Sequence, residues 1–310
     1  KGSILVSRAD HEITDGDLKR VLTQSEAQLN RASSTFLLNR NILHSFPIYY
    51  RVDGEQIIGN PAGMKGEKLE IETLFITCQT QHFNNLIKSM EMAGVGIEDL
   101  SAAPWSMSHA ILSQQEKEVG SSIINIGGDT SSIIVFEESA PISMEVFPIG
   151  SNHITYDIAR GFQISLEEAE EMKLSYDPEV SAKKKLTAII EPRLNDIFEL
   201  VQNHLVKINR AKLLPAGAIL TGGGSNLSRI TEIGKETLSL PVQMGQPRFI
   251  ASTQNSKNSV LNPIWSVALG ICLENMGEKK ESNRDSHFSG QISKKGVFGW
   301  IKNLISNLLP

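Results

Sequence analysis

The chain has 310 residues, of which 40% are hydrophobic, and its formal net charge is -5 at pH 7. These values describe an ordinary globular protein with enough apolar material for two domains or one large bilobal domain. The mild acidity, without a basic stripe that could follow a phosphate backbone, argues against a nucleic-acid partner. Cys78 and Cys272 lie far apart in a sequence without a signal peptide, so we expect two free, buried thiols in a reducing cytoplasm.

Residues 1–98 predict one small α/β unit. Alternating and β-branched stretches indicate strands, one of which ends in an Asp53-Gly54 turn of the kind that joins hairpin strands. Apolar residues three and four apart indicate helices. The expected elements are strands at residues 4–6, 41–54 and 68–76, and helices at 13–29 and 81–94.

A glycine turn between two apolar strands follows at residues 122–136. The turn consists of Gly127, Gly128, Asp129, Thr130 and Ser131. Backbone N–H groups of such a turn can form a nest that cradles phosphate oxygens. A plain β-hairpin with a bulged turn fits these residues as well, so the turn by itself does not decide between the two interpretations.

The segment after this hairpin predicts a third strand at 143–148 and then mainly helices. Ser165 and Glu168 have the spacing of a capping box, in which each side chain satisfies a backbone N–H at the start of a helix. Apolar residues recur three and four apart over 193–208, which indicates a strong helix. The expected helices cover residues 152–162, 165–174 and 193–208.

A second glycine cluster follows an apolar strand at 216–221 and precedes a helix expected at 227–238. The cluster consists of Gly222, Gly223, Gly224 and Ser225. It places free N–H groups and the positive end of a helix dipole where a nucleotide can approach the backbone closely. The spacing matches neither the Walker nor the dinucleotide pattern. A tight strand-to-helix turn explains one or two of the glycines but not three.

The last residues, 294–310, predict a two-faced helix behind a polar stretch at 278–293. Its apolar face consists of Val297, Phe298, Trp300, Ile301, Leu304, Ile305, Leu308 and Leu309. Lys302 lies on the polar face, where it adds attraction to anionic membrane lipid. The helix is too short to span a bilayer, which needs roughly 20 apolar residues, but it can lie in the interface. The alternative is a helix that docks back on its own domain.

Taken in order, these motifs resemble the actin/Hsp70/hexokinase nucleotide-binding superfamily and, within it, the FtsA family of bacterial cell-division proteins. Residues 125–130 resemble the second phosphate loop of the superfamily, and residues 220–225 resemble its adenosine motif. Residues 262–270 resemble the helix that returns to the first lobe. The stretches that are more specific to the FtsA family are 52–54 with 61–70, 242–247 and the amphipathic tail.

This resemblance implies an α/β, actin-like (ribonuclease H-like) bilobal ATPase fold with an FtsA-type 1C subdomain and a C-terminal amphipathic helix. It divides the chain into a 1C-like subdomain (1–98), a remnant of the first actin-like subdomain (99–116), the second actin-like subdomain with the phosphate loop (117–164) and the adenosine motif (211–262), a helical subdomain (165–210), a return helix (263–276), a flexible linker (277–293) and the membrane-binding helix (294–310).

The resemblance also assigns a site for ATP and Mg²⁺. The adenosine and α-phosphate would contact the second cluster, which is Gly222, Gly223, Gly224 and Ser225. The β- and γ-phosphates with Mg²⁺ would contact Gly127, Gly128 and Thr130, beside Asp129.

Two departures from the family pattern weaken the expectation of catalysis. The second phosphate loop of the family usually begins with Asp and has a third glycine, whereas this chain has Asn125 and Asp129. An amide cannot carry the charge that helps to position metal-bound water. The chain also begins at Lys1, almost at the 1C-like unit, so we expect a fragment or processed chain without the first phosphate loop. We therefore expect a nucleotide-binding protein that is not an enzyme, with weak or absent ATP hydrolysis.

The implied function is a cytoplasmic scaffold that self-associates into filaments on the inner (plasma) membrane at the division site. It would bind the FtsZ C-terminal tail on the helical part of the chain and recruit later division proteins. Two alternatives remain open at this point. One is a pilus-assembly adaptor of the same fold, and the other is an ATPase or sugar kinase of the same superfamily.

Overall fold

The structure is a computed structural model that describes residues 1–32, 37–177, 184–247 and 262–277. The predicted linker beyond Gly277 and the predicted amphipathic helix lie outside these residues. Within the described ranges, no helix combines the length and the apolar character needed to cross a membrane.

The N-terminal unit is a four-stranded sheet with one helix packed against it. Its strands are β1 (Gly2–Leu5), β2 (Arg40–Val52), β3 (Glu55–Ile57) and β4 (Lys68–Gln79), and its helix is α1 (Asp15–Ala32). The strand order is β1-β4-β2-β3, and every neighbouring pair is antiparallel. The core between the sheet and α1 contains Val6, Ile13, Val21, Val52, Leu69 and Ile71.

The turn between β2 and β3 explains why the sequence signals a hairpin at this point. Asp53 has φ of 51° and Gly54 has φ of 90°, so both central residues take the left-handed conformation that primed hairpin turns require. The Asp53 carboxylate also accepts hydrogen bonds from the backbone N–H groups of Glu67 and Lys68. The predicted Asp-Gly turn is therefore confirmed.

A five-stranded sheet forms the centre of the rest of the molecule. Its strands are β5 (Ser121–Ile126), β6 (Ser131–Glu137), β7 (Ala140–Phe147), β8 (Ala218–Thr221) and β9 (Val242–Met244). The order is β7-β6-β5-β8-β9, with antiparallel pairing from β5 to β7 and parallel pairing from β5 through β8 to β9. The remaining described helices are α2 (Thr80–Met92), α3 (Ala103–Ile111), α4 (Gln114–Val119), α5 (Ser151–Phe162), α6 (Leu166–Leu174), α7 (Lys184–Lys207), α8 (Ile230–Leu238) and α9 (Ser266–Gly277).

Both faces of this central sheet are buried. Ile124 and Ile133 face one core, which α5, α6, α7 and α8 cover. Ile123 and Ile134 face the opposite core, which α3 and α9 help to close. Successive side chains of a strand point to opposite faces, so a strand that is buried on both sides reads as an unbroken apolar run. Burial of each such side chain stabilises the fold by about 1.5–3 kcal/mol.

Three details differ from expectation. The chain after the second glycine cluster forms a 3₁₀ turn at Gly223–Asn226, and α8 begins only at Ile230, because Arg229 has a left-handed backbone (φ 62°) that interrupts the helix. The strong helix α7 begins at Lys184 rather than at residue 193. The expectation of buried thiols is wrong, because Cys272 is exposed on the outer face of α9 and Cys78 is half-buried near the end of β4.

Candidate functional site

The two glycine clusters lie side by side because β5 and β8 are neighbouring parallel strands. Asn125 of β5 is in register with Thr221 of β8. The carboxyl ends of parallel neighbours meet at the same edge of a sheet, which is where α/β proteins commonly bind ligands. The structure therefore brings the turn at 127–130 next to the turn at 222–225.

The first turn exposes a row of backbone donors. The N–H of Gly127 donates to the carbonyl of Thr130 (2.9 Å) and closes the turn. Gly128, Asp129 and Thr130 are exposed, and within the described part of the chain their N–H groups donate no hydrogen bond. Successive unpaired N–H groups on an exposed turn form a concave site for an anion.

Residues at the start of α5 hold this turn in place through hydrogen bonds. The N–H groups of Ser151 and Asn152 donate to the carbonyls of Gly127 (2.9 Å) and Gly128 (2.8 Å). The side-chain amide of Asn152 donates to the carboxylate of Asp129 (2.9 Å). The first donors of α5 are thus occupied by the turn itself, so an anion would be bound by the turn and not directly by the helix end.

The second turn depends on Gly222. This residue is buried with φ of 89°, and a Cβ atom on it would lie 2.3 Å from Oδ1 of Asn125 and 2.5 Å from the carbonyl oxygen of Ile126. Only glycine tolerates both this conformation and this contact. Gly223 differs, because it is exposed and a Cβ atom there would meet nothing within 4 Å. Gly223 is consequently the point of this turn that borders open space.

Ser225 and Gly224 shape the second turn from within. The hydroxyl of Ser225 donates to the carbonyl of Gly222 (2.7 Å) and is buried. Gly224 is also buried, and a Cβ atom on it would lie 2.5 Å from Cγ2 of Ile126. Both residues were predicted to contact the nucleotide, but the Ser225 hydroxyl is used inside the turn.

The donor set at the two turns fits a nucleotide with one magnesium ion held mainly by phosphate and water. Asp129 is the carboxylate of the first turn, and Asn125 places an amide oxygen beside Gly222. Across the described ranges there is no group of three or more His, Cys, Asp or Glu side chains that could hold a metal ion. Mg²⁺ commonly keeps several waters and binds one or two carboxylates plus substrate phosphates, so Asp129 alone is compatible with it.

Lys173 is a site-bordering residue that sequence reasoning missed. Its buried ammonium donates to the carbonyl of Ser151 (3.2 Å) and to the Thr155 hydroxyl (2.8 Å), and it pairs with Glu170 (2.7 Å). Burial alone would raise the pKa of Glu170, but hydrogen bonds from Lys173 and Thr155 outweigh it and leave that pKa lowered. The cluster fixes α6 to the first turn of α5. Glu170 and Lys173 are three residues apart on a helix, and this spacing was the available signal.

A groove runs along the contact between α5 and α7 on the helical side of the molecule. Its volume is about 400 Å³, and its lining residues are Asp157, Arg160, Gly161, Ile189, Pro192, Arg193 and Asp196. Arg193 forms ion pairs with Asp157 (2.6 Å) and Asp196 (3.0 Å), and the hydrogen bond to Asp157 raises the pKa of Arg193. The groove therefore combines an apolar floor with charges of both signs.

Comparison with known proteins reveals relatives along nearly the whole chain. The family model described as "Cell division protein FtsA" matches residues 122–270, and the model described as "SHS2 domain inserted in FTSA" matches residues 1–77. The FtsA protein of Pseudomonas aeruginosa is 28% identical over 97% of this chain and 76% of its own length. The FtsA proteins of Borreliella burgdorferi and Escherichia coli K12 are 27% and 24% identical, again over 97% of this chain and over 77% and 76% of their own lengths.

Solved structures with the same fold are actin-like. A structure of the PilM-PilN type IV pilus biogenesis complex matches with a TM-score of 0.63 and 19% identity, over 88% of this chain and 76% of that chain. MreB5 of Spiroplasma citri bound to ADP matches with a TM-score of 0.50 and 15% identity, over 66% of this chain and 68% of that chain. The predicted actin-like fold is thus confirmed. Because two FtsA models together match well over half of its residues, the chain belongs to the FtsA family of cell division proteins.

Proposed function

We propose that this protein is an ATP-dependent scaffold that tethers the FtsZ ring to the cytoplasmic membrane and recruits later division proteins. Membership of the FtsA family supports a role in cell division, and the actin-like fold is consistent with a bound nucleotide. The observation that carries the nucleotide part is the pairing of two glycine turns at one sheet edge, one with unpaired N–H groups and one with an open Gly223.

In this proposal ATP with Mg²⁺ lies across the two turns. The N–H groups of Gly128 and Thr130 bind the β- and γ-phosphates, and Gly223 allows the adenosine side of the nucleotide to approach the backbone. Asp129, held by Asn152, would be the carboxylate that helps to hold the magnesium ion. The ion would neutralise phosphate charge. The nucleotide then acts mainly as a structural ligand that favours one arrangement of the protein, because Asn125 cannot supply a negative charge to position an attacking water.

Substitution of Gly223 tests the nucleotide site. Gly223→Val places a branched side chain in the open space where ATP would lie, so we expect at least a tenfold loss of ATP affinity, which corresponds to about 1.4 kcal/mol. The matched control is Gly96→Val, because a Cβ atom at Gly96 also meets nothing within 4 Å and this glycine lies in the loop between α2 and α3, outside both turns. Isothermal titration with ATP and Mg²⁺ measures both. Equal affinities of the Gly223→Val variant and the unmodified protein would refute the site.

The groove between α5 and α7 is the proposed site for the FtsZ C-terminal tail. Ile189 and Pro192 offer an apolar floor for one side chain of a peptide, and the exposed Arg160 offers a partner for a peptide carboxylate. Arg160→Glu should weaken binding of a labelled tail peptide in fluorescence anisotropy. The control is Lys207→Glu, which makes the same charge change on an exposed residue at the other end of α7. Equal losses in the two variants would indicate a general charge effect and not a groove.

Membrane attachment through residues 294–310 rests on the sequence pattern alone. We expect sedimentation with vesicles that contain anionic lipid to be lost when residues 296–310 are removed. Replacement of Trp300 or Ile301 by a charged residue should have the same effect and leave ATP binding unchanged. If the truncated protein sediments as well as the intact one, the tail is not the tether.

The fold alone favours neither the pilus-assembly adaptor nor the ATPase or sugar kinase. The likeness to the PilM-PilN structure has 19% identity and concerns architecture, whereas both matching family models are those of FtsA. A kinase or an active ATPase of the superfamily needs a carboxylate that acts on substrate or water. We therefore propose that ATP turnover is negligible, and a phosphate-release assay that shows many turnovers per minute would contradict this.

A further inference from the structure

Ser266, the first residue of helix α9, is hydrogen-bonded to the end of the strand that precedes the second glycine turn. The Ser266 hydroxyl donates to the carbonyl of Pro263 (2.7 Å) and shares a hydrogen bond with the hydroxyl of Thr221 (2.5 Å). Thr221 is the last residue of β8, directly before Gly222. Both hydroxyls are buried, so this link is shielded from competing water.

The middle of α9 is pressed against α3. A Cβ atom on Gly270 would lie 2.1 Å from the carbonyl oxygen of Ser106, which means that the two helix backbones touch with no side chain between them. Such a close crossing leaves little room for one helix to slide past the other without moving it. Displacement of α9 is therefore transmitted to α3.

The far end of α9 carries a carboxylate with several donors. Glu274 accepts hydrogen bonds from the indole N–H of Trp105 (2.8 Å) and from the hydroxyls of Ser106 (3.0 Å) and Ser101 (3.0 Å). Hydrogen bonds to a charged acceptor contribute about twice as much as neutral ones. Glu274 consequently fixes the start of α3 to the end of α9.

The same cluster continues into the four-stranded unit through His44 of β2. The backbone N–H of Ala102 donates to Nε2 of His44 (2.9 Å), and the ring of His44 stacks on Phe46 (centroids 5.3 Å apart). Phe46 in turn lies against the Trp105 ring (4.4 Å). Burial lowers the pKa of His44, which favours the neutral ring that can accept this bond. An unbroken series of contacts therefore runs from Thr221 to β2.

We propose that α9 is a strut that couples the occupancy of the Gly222–Ser225 turn to the position of the four-stranded unit, with Glu274 as the positioning residue at its far end. The nucleotide half of this proposal rests on the proposed ATP site. Ligand contact at Gly223 shifts Thr221 and Ser266, the helix moves as a rigid body, and Glu274 carries the shift to α3 and β2. Coupling of two sites is reciprocal, so a partner bound to the four-stranded unit changes nucleotide affinity by the same factor.

Trp105 reports on this strut, since it contacts Glu274 directly. The sequence has three tryptophans, so a Trp265→Phe, Trp300→Phe background leaves Trp105 as the only tryptophan whose emission is recorded. The first measurement uses no nucleotide. Ser266→Ala breaks the link at the turn end, and we expect it to shift the emission of Trp105 at the other end of α9. Thr221→Val removes the same hydrogen bond from the side of β8. The test therefore does not depend on a single variant, which could fail to fold.

The second measurement adds ATP with Mg²⁺ and records binding by calorimetry and Trp105 emission in parallel. We expect a change in emission on binding, its loss in Glu274→Leu, and its partial recovery in Glu274→Gln, whose amide oxygen still accepts from the indole. Asn275→Ala is the matched control, because this neighbour on α9 is exposed and, among the residues that the structure describes, its side chain bonds only to the carbonyl of Ile271 in its own helix.

The outcomes separate the strut from the nucleotide site. Failure of ATP to bind, together with an emission shift in Ser266→Ala and Thr221→Val, refutes the ATP site and supports the strut. Normal ATP binding with unchanged Trp105 emission, in folded variants as in the unmodified protein, overturns the strut. Equal effects of Asn275→Ala and Glu274→Leu also overturn it, because any change on α9 would then suffice.

Discussion

Gly222→Ala offers a direct test of the geometry that places the two turns together. The added methyl group would lie 2.3 Å from Oδ1 of Asn125 and 2.5 Å from the carbonyl of Ile126. The residue would also have to keep φ of 89°, a conformation that L-residues rarely adopt. The substitution therefore strains the backbone and separates the ends of β5 and β8.

The expected loss of folding free energy is the sum of two contributions, the strained backbone and the steric contact of the new methyl group. A non-glycine residue held in such a backbone conformation costs about 1–3 kcal/mol. Insertion of a methyl group into a packed site that cannot relax costs about another 1–3 kcal/mol. The sum, roughly 2–6 kcal/mol, is a large part of the 5–15 kcal/mol that is typical of a folded domain. We accordingly expect a marked loss of stability and not merely a weaker site.

Urea unfolding, followed by far-UV circular dichroism, measures the loss. Gly223→Ala is the matched control, because its backbone has no left-handed φ and its new Cβ atom would meet nothing within 4 Å. We expect that control to change the free energy of unfolding by less than about 1 kcal/mol. Equal destabilisation of the two variants would refute the argument, since it would mean that the turn as a whole, and not the contact with Asn125, is sensitive.

Three further predictions concern charge. Asn125→Asp should raise Mg²⁺-dependent phosphate release above the negligible rate that we expect of the unmodified protein, because it supplies the missing negative charge; an unchanged rate in a variant that binds ATP would contradict this. Burial lowers the pKa of His44, His109 and His204, so the stability that these neutral rings contribute is present above about pH 6.5. It is lost as the pH falls through their lowered pKa values, and urea unfolding at pH 7.5 and 5.0 should show lower stability in acid. Burial lowers the pKa of Lys117 to about 8, so unmodified protein should gain stability as the pH rises from 8 to 10, and Lys117→Met should flatten that rise. A rise that persists unchanged in the variant would assign it to another group.

The sequence was informative wherever function depends on local backbone geometry. The Asp53-Gly54 pair specifies a hairpin turn by conformational preference alone, and the structure contains that turn. Both glycine turns follow apolar strands, so their place at strand ends could be predicted before their partners were known. Parallel pairing of β5 with β8 then brings them together, and the family resemblance supplied that step.

Contacts between distant parts of the chain could not be predicted in this way. The bond between Thr221 and Ser266 joins residues 45 positions apart, and neither hydroxyl is distinguishable in the sequence from an ordinary surface Ser or Thr. Lys173 looks like a solvated lysine on a charged helix, yet its ammonium is buried against the start of α5. Burial of a polar group is a property of the assembled fold, and periodicity reports only the apolar side of each helix.

The hydrogen-bond donors that remain free at the two turns determine which substitutions should weaken nucleotide binding. The leading N–H groups of α5 are already bonded to the carbonyls of Gly127 and Gly128, and the Ser225 hydroxyl is bonded within its own turn. What remains for an anion is mainly backbone N–H, which no substitution except one by proline removes, together with the exposed hydroxyl of Thr130. Side-chain truncations at Thr130 or Ser225 should therefore affect nucleotide binding less than added bulk at Gly223 does. A small effect of these truncations on nucleotide binding would follow from a site that consists mainly of main-chain groups. It would not show that the nucleotide binds elsewhere.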